Sequence, residues 1–312
     1  MPHSPNNRPR PSARSQQRHA RGLAVFAGVL VVALLGGVAA LASVVADANA
    51  HRPGAPSPDA VPTLTEPEAP PEPEEPEVPA DDERAADLAW DPNRATDWNF
   101  EGNGEKTVYL TFDDGPSANT EKVLDILDQY GAKATFFVTG HEPDYRPMIK
   151  EAYERGNSIG MHTFTHDYAK VYASEDAYFS DLDQVAEVVK EQIGYVPFLV
   201  RFPGGASNTI SRNYCQGIMT ALSKDVPAKG YQFYDWNVSS ADAAGNTMPM
   251  DTIVQSSCVE GYTNVMLLFH DAGTKTTTVD ALPQIIEYYQ ERGYTFAPIT
   301  RESIVIHHGV GN

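Results

Sequence analysis

The sequence predicts an α/β domain of parallel strands, wound as a closed or partly closed barrel and carried behind an export segment and a long spacer. Three observations predict it. Strand-like and helix-like segments alternate from Trp90 to the C-terminus. An uncharged apolar run fills positions 23–46, and a Pro/Glu-rich tract separates the two. Repeated strand-helix units bring successive strands into parallel pairing, because each return crossover is a helix. An open doubly wound sheet is the competing arrangement of the same units.

The elements follow in order. Residues 1–22 are polar and carry Arg8, Arg10, Arg14, Arg18 and Arg21 with no acidic residue, which reads as a basic cytoplasmic tail. The run 23–46, LAVFAGVLVVALLGGVAALASVVA, exceeds the roughly 20 residues a helix needs to cross a bilayer core. By the positive-inside rule the arginines stay in the cytoplasm and the rest of the chain lies outside. A cleaved signal sequence competes with a retained transmembrane helix, because Ala48-Asn49-Ala50 has the small-residue pattern of a cleavage site. Export follows from either. Positions 47–89 include EAPPEPEEPEVP and almost no aromatic or β-branched residues, so they read as a disordered linker. Extended at about 3.1 Å per residue, such a tract spans on the order of 100 Å.

From Trp90 the strands are expected at 107–112, 134–139, 158–162, 198–202, 231–238, 265–270 and 294–298. Helices are expected at 120–130, 146–155, 177–193, 211–222, 252–258 and 282–292. Gly131, Gly156, Gly194 and Gly293 stand at four of the helix ends.

Composition narrows the function. A formal net charge of −19 opposes a phosphate-backbone partner, and much of the charge lies in the linker. Cys215 and Cys258 are compatible with one disulfide in an oxidising compartment.

The chemistry-bearing residues fall at strand ends. Asp113 and Asp114 follow the first strand, and His162 and His166 the third. Arg201 ends the fourth, Asp235 and Trp236 come late in the fifth, and His270 closes the sixth. In a parallel barrel those ends converge on one rim, where active sites are built. Two adjacent carboxylates can divide labour, one binding a metal and the other acting as a base. Histidines four apart share a face if the segment is helical. Two imidazoles and one carboxylate leave coordination positions open, which suits catalysis; Zn²⁺ is the first expectation, with Co²⁺, Mn²⁺ or Fe²⁺ also compatible. Arg201 is placed to orient a carboxylate, an N–H near Pro203 and Gly204 to meet an oxyanion, and His270 to act as a general acid.

Five segments occur in order: Thr111-Phe112-Asp113-Asp114-Gly115-Pro116, His162-Thr163-Phe164-Thr165-His166, Arg201-Phe202-Pro203-Gly204-Gly205, Asp235-Trp236 and Leu268-Phe269-His270. They resemble the motifs of the NodB-type polysaccharide deacetylases, carbohydrate esterase family four, over roughly residues 105–300. That resemblance implies a distorted (β/α) barrel of seven strands and a divalent-metal hydrolase acting on acetylated sugars. It implies Asp114, His162 and His166 as metal ligands, Asp113 as general base and His270 as general acid. Arg201 would orient Asp113, Asp235 would support His270, and Trp236 and Leu268 would line the acetyl pocket. One departure is visible. The third motif often reads Arg-Pro-Pro-Tyr-Gly, so Gly204 keeps a backbone N–H but removes an aromatic groove wall. The expected activity is removal of N-acetyl groups from N-acetylglucosamine units of cell-wall peptidoglycan. A chitin-oligosaccharide deacetylase or acetylxylan esterase would use the same site, and a non-catalytic glycan-binding protein is the alternative of another class.

Overall fold

The computed structural model describes residues 83–311, apart from Ala95, Asp97 and Asn103. The basic tail, the apolar run 23–46 and the linker up to position 82 lie outside the described residues. Among the described residues no helix is long and apolar enough to cross a membrane.

The folded part begins earlier than the linker expectation of 47–89 allows. Glu83–Leu88 forms a helix, α1, with Ala85 and Leu88 buried. The Leu88 carbonyl accepts from Phe198 N–H, and Arg301 donates through Nη2 to the Ala89 carbonyl. Two apolar side chains one helical turn apart suffice to dock this segment, although the surrounding composition resembles the spacer.

The strands are β1 (Thr107–Asp113), β2 (Ala134–Thr139), β3 (Ser158–Thr163), β4 (Leu199–Val200), β5 (Gln232–Phe233), β6 (Val238–Ser239), β7 (Asn264–His270) and β8 (Thr295–Phe296). The remaining helices are α2 (Thr120–Gln129), α3 (Pro147–Glu154), α4 (Tyr168–Val171), α5 (Glu175–Ile193), α6 (Ile218–Ala228), α7 (Met250–Ser257) and α8 (Thr276–Glu291). Every named strand pair is parallel. The order β5-β4-β3-β2-β1-β7-β6 follows the chain around a ring broken only between β5 and β6, with β8 beside the start of β1. That cyclic order belongs to a curled, barrel-like sheet. A doubly wound sheet would reverse direction at its centre.

The burial pattern fits this arrangement. β1 and β2 are buried at every position, as expected of parallel strands covered on both faces. Phe112, Phe136 and Phe269 stack on neighbouring strands at centroid distances of 5.2 and 5.4 Å, directed away from the face that carries Asp113. The seam between β5 and β6 is filled by the C-terminal tail. Asp235 N–H donates to the Ile306 carbonyl, and His307 Nε2 contacts the Phe233 carbonyl at 3.0 Å.

Several expected strands are shorter than the sequence suggests. The segment 231–238 splits into β5 and β6, so Asp235 and Trp236 lie between strands. The helix expected at 211–222 is a short 3-10 turn at Ser211–Asn213 followed by α6. Gly217, at φ +81°, separates the two.

Candidate active site

The register of the sheet sets the site. Asp113 on β1 is the cross-strand neighbour of His270 on β7 and of Phe137 on β2. Leu268 is two residues before His270, so it faces the same side of the sheet and lies buried beneath it.

Asp114, immediately after β1, and His166, after β3, have φ of +72° and +51°. Non-glycine residues avoid this left-handed region, where each costs on the order of 1–3 kcal/mol. Both distortions bend a side chain back over the strand ends. His166 is therefore not on a helix with His162, as their spacing suggested. His162 stands on β3 and His166 in the turn beyond it, and the turn itself brings the rings within 5.2 Å. His162 Nε2 lies 3.5 Å and His166 Nε2 3.2 Å from Asp114 Oδ1. One donor atom from each of the three residues falls within 4.8 Å of the others.

The donor set fits a divalent metal. Asp114 Oδ1 is buried without a hydrogen-bond partner, which is costly unless a cation takes that position. His162 Nδ1 donates to the Arg201 carbonyl at 2.7 Å, leaving the Nε2 lone pair turned towards Asp114. Burial, helped by the nearby His166, pushes the His162 pKa down to about 3, so its ring is neutral near neutrality, the form a metal would need.

Beside this cluster Asp113 makes a separate arrangement. The fully buried Arg201 donates through Nη1 to Asp113 Oδ1 at 3.0 Å and to Thr111 Oγ1 at 2.6 Å. Its Nε and Nη2 are held by the Tyr234 and Asp235 carbonyls. Phe137 lies 4.2 Å beneath its guanidinium. Burial raises the Asp113 pKa, and Arg201, His270 and His166 only partly oppose that rise.

His270 has a different partner from the one the motifs implied. Its Nδ1 lies 2.8 Å from Asp242 Oδ1, and its backbone N–H donates to Asp242 Oδ2 at 2.8 Å. Asp235 instead accepts from the backbone N–H groups of Ala206 and His308, so both its oxygens are engaged away from His270. Burial lowers the His270 pKa, but the Asp242 hydrogen bond and charge, with Asp114 and Asp113, outweigh it and raise the value to about 9. Nothing in the sequence alone marked Asp242, because it sits after β6 in a Ser-, Ala- and Gly-rich loop, residues 240–245, that resembles an ordinary turn.

Pro203 and Gly204 form the opposite rim. The Pro203 carbonyl accepts from Tyr172 Oη at 2.8 Å and Asn208 Nδ2 at 2.9 Å. In a trans peptide the N–H opposes the carbonyl, so this clamp turns the exposed Gly204 N–H the other way. Trp236 is half-buried, its ring 5.7 Å from the Arg201 guanidinium. Of the two states the sequence left open, bridge or free thiols, Cys215 and Cys258 are free thiols, Cys258 at the end of α7 and Cys215 in the turn before α6.

The family pattern described as "Polysaccharide deacetylase" matches residues 101–218. A peptidoglycan-N-acetylglucosamine deacetylase from Bacillus cereus is 31% identical over 217 residues, covering 68% of this chain and 76% of its own. The chain belongs to the polysaccharide deacetylase family. A Bacillus subtilis peptidoglycan-N-acetylmuramic acid deacetylase is 29% identical over 203 residues, with 63% of this chain and 38% of the relative covered. Among solved structures, the catalytic domain of a peptidoglycan N-acetylglucosamine deacetylase from Eubacterium rectale superposes with a TM-score of 0.66 at 45% identity. It covers 69% of this chain and 98% of that one. A Bacillus cereus polysaccharide deacetylase gives a TM-score of 0.56 at 31% identity, covering 66% and 99%. The NodB-type resemblance and the curled parallel sheet are thus shared with proteins of this family.

Proposed function

We propose that this polysaccharide deacetylase removes N-acetyl groups from N-acetylglucosamine units of peptidoglycan, releasing acetate outside the cytoplasmic membrane. The observation that carries the reading is the division of the two adjacent carboxylates. Asp114 faces the two histidines, while Asp113 is held apart by Arg201 and stands next to His270.

Asp114, His162 and His166 would hold the metal, with Zn²⁺ the first candidate and Co²⁺, Mn²⁺ or Fe²⁺ alternatives. Such an ion supplies Lewis acidity to an amide carbonyl and to an attacking water. The chain's own groups divide the remaining work. Asp113 takes the water proton, and its burial-raised pKa makes it a better base than an exposed aspartate. Arg201 keeps that carboxylate in one orientation through a hydrogen bond in a dry environment. The Gly204 N–H meets the developing oxyanion. His270, protonated near neutrality, gives its proton to the departing amine, and Asp242 fixes its tautomer. Leu268 and Trp236 bound the space for the acetyl methyl.

The peptidoglycan substrate draws support from the relatives' named activities and from the apolar run and spacer ahead of the domain. That run would hold the enzyme on the membrane, facing the wall, or direct its secretion. The test compares acetate release from purified peptidoglycan, N-acetylglucosamine oligomers and acetylxylan by the metal-loaded chain. The reading requires peptidoglycan to be the best of the three. Preference for oligomers or xylan replaces the substrate, and no release from any of them removes the enzyme reading.

A further inference from the structure

We propose that Tyr168 is a substrate-positioning residue whose hydroxyl donates a hydrogen bond to the sugar ring, filling the place left open by glycine at position 204. The inference rests on the deacetylase reading and adds a residue that the five motifs do not contain.

Three observations converge on it. Gly204 is exposed, with φ of +76°, and a Cβ built there would lie 2.7 Å from Tyr168 Oη. The Tyr168 hydroxyl therefore occupies the space into which any side chain at 204 would begin to grow. An aromatic residue at 204 and Tyr168 in its present position exclude one another. The wall lost from one loop is supplied from another.

The ring is also held in place. It packs edge-on against His166, at 5.9 Å and 74°, and against Tyr172, at 5.3 Å and 73°. His166 is one of the three candidate ligands, and Tyr172 clamps the Pro203 carbonyl, so Tyr168 bridges the metal cluster and the oxyanion loop. Its backbone is fixed at the start of α4, where Asp167 caps the helix by accepting from Ala169 N–H at 3.0 Å.

The hydroxyl, although its residue is half-buried, makes no hydrogen bond with any described residue. Its ring contacts with His166 and Tyr172 are edge-on packing rather than hydrogen bonds. A fixed donor beside an exposed backbone N–H and three candidate metal ligands suits a polar, hydroxyl-rich ligand. A sugar ring brings oxygen acceptors and an apolar face together, matching a hydroxyl carried on an aromatic ring.

The test uses the metal-loaded chain and Tyr168→Phe, which removes the oxygen and keeps both ring contacts. In an Asp113→Asn background, which prevents turnover, Tyr168→Phe is expected to weaken binding of an N-acetylglucosamine tetramer about tenfold by calorimetry. In the otherwise native chain, the ratio of kcat/KM for that tetramer to kcat/KM for 4-nitrophenyl acetate, which has no sugar, falls by a similar factor, mainly through KM. An unchanged Kd and an unchanged ratio overturn the proposal. So does an equal loss on both substrates accompanied by a lower Tm or metal content, which marks a structural role. A native chain that cleaves the ester but releases no acetate from any glycan overturns the deacetylase reading, and this proposal with it.

Discussion

Replacing Asp242 with Asn tests the acid assignment most directly. The substitution keeps the shape of the side chain but removes the charge that faces His270 Nδ1 at 2.8 Å. Asp242 provides the two largest upward influences on the His270 pKa, which stands at about 9 against an ordinary 6.5. Losing that elevation is worth about 3 kcal/mol, at about 1.36 kcal/mol per tenfold change in proton affinity. Burial remains and pulls downward, while Asp114 and Asp113 oppose it. At pH 8 a group with pKa 9 is roughly nine-tenths protonated, and one at 6.5 only about 3%, so the acid form falls about thirtyfold. Acetate release measured from pH 5.5 to 9.5 should show the alkaline limb of kcat moving down by more than one pH unit in Asp242→Asn, with the two profiles converging at the acid end.

Stability should follow the same sign. His270 has a raised folded-state pKa, so its contribution is fully present below about pH 6.5 and is lost as pH rises through about 9. The Tm gap between parent and Asp242→Asn should therefore be wide at pH 6 and narrower at pH 10. A residual gap is expected there, because asparagine keeps only one acceptor oxygen, so either His270 Nδ1 or the pair at Asp242 Oδ2, His270 N–H and Thr278 Oγ1, comes to face an NH2 group. A rate ratio that stays constant across pH, together with a constant Tm gap, would refute the assignment.

Three other outcomes follow. Asp113→Asn should retain bound metal by elemental analysis while turnover falls at least 100-fold, whereas His162→Ala should lose both; metal loss in the first variant would exchange the two aspartates' roles. Arg201→Met leaves Asp113 buried without its cation and should cost about 3–5 kcal/mol in denaturant unfolding. Because burial raises the Asp113 pKa and loss of the Arg201 charge raises it further, that cost should be smaller at pH 4 than at pH 8. With Cys215 and Cys258 free, reducing agent should leave Tm unchanged and thiol titration of the unfolded chain should find both groups; a reductant-dependent Tm would require a bridge.

Much of the fold was legible because its signals are local. Predominantly apolar and β-branched runs in β1, β2 and β7 mark strands covered on both faces, and the periodic apolar positions of α2, α5 and α8 mark helices packed on one side. The short strands β4, β5, β6 and β8 were blurred. Two paired residues leave almost no periodic pattern, and their ends are fixed by neighbours remote in the chain. Helix α1 was missed for a related reason: its docking depends on partners more than one hundred residues away.

At the site, the sequence by itself determined which side chains stand at the ends of β1, β3, β4 and β7, because motif order and strand ends are both written along the chain. It thereby named Asp113, Asp114, His162, His166, Arg201 and His270. Only the tertiary structure decided which group reaches which. Asp235 and Asp242 are both aspartates between β5 and α7. The choice between them depends on the path of a loop against β7 and on the C-terminal tail that occupies Asp235. Tyr168 meets Gly204 only because the turns after β3 and β4 fold over one another. Partnership of this kind is set by the meeting of loops distant in sequence, and no local spacing encodes it.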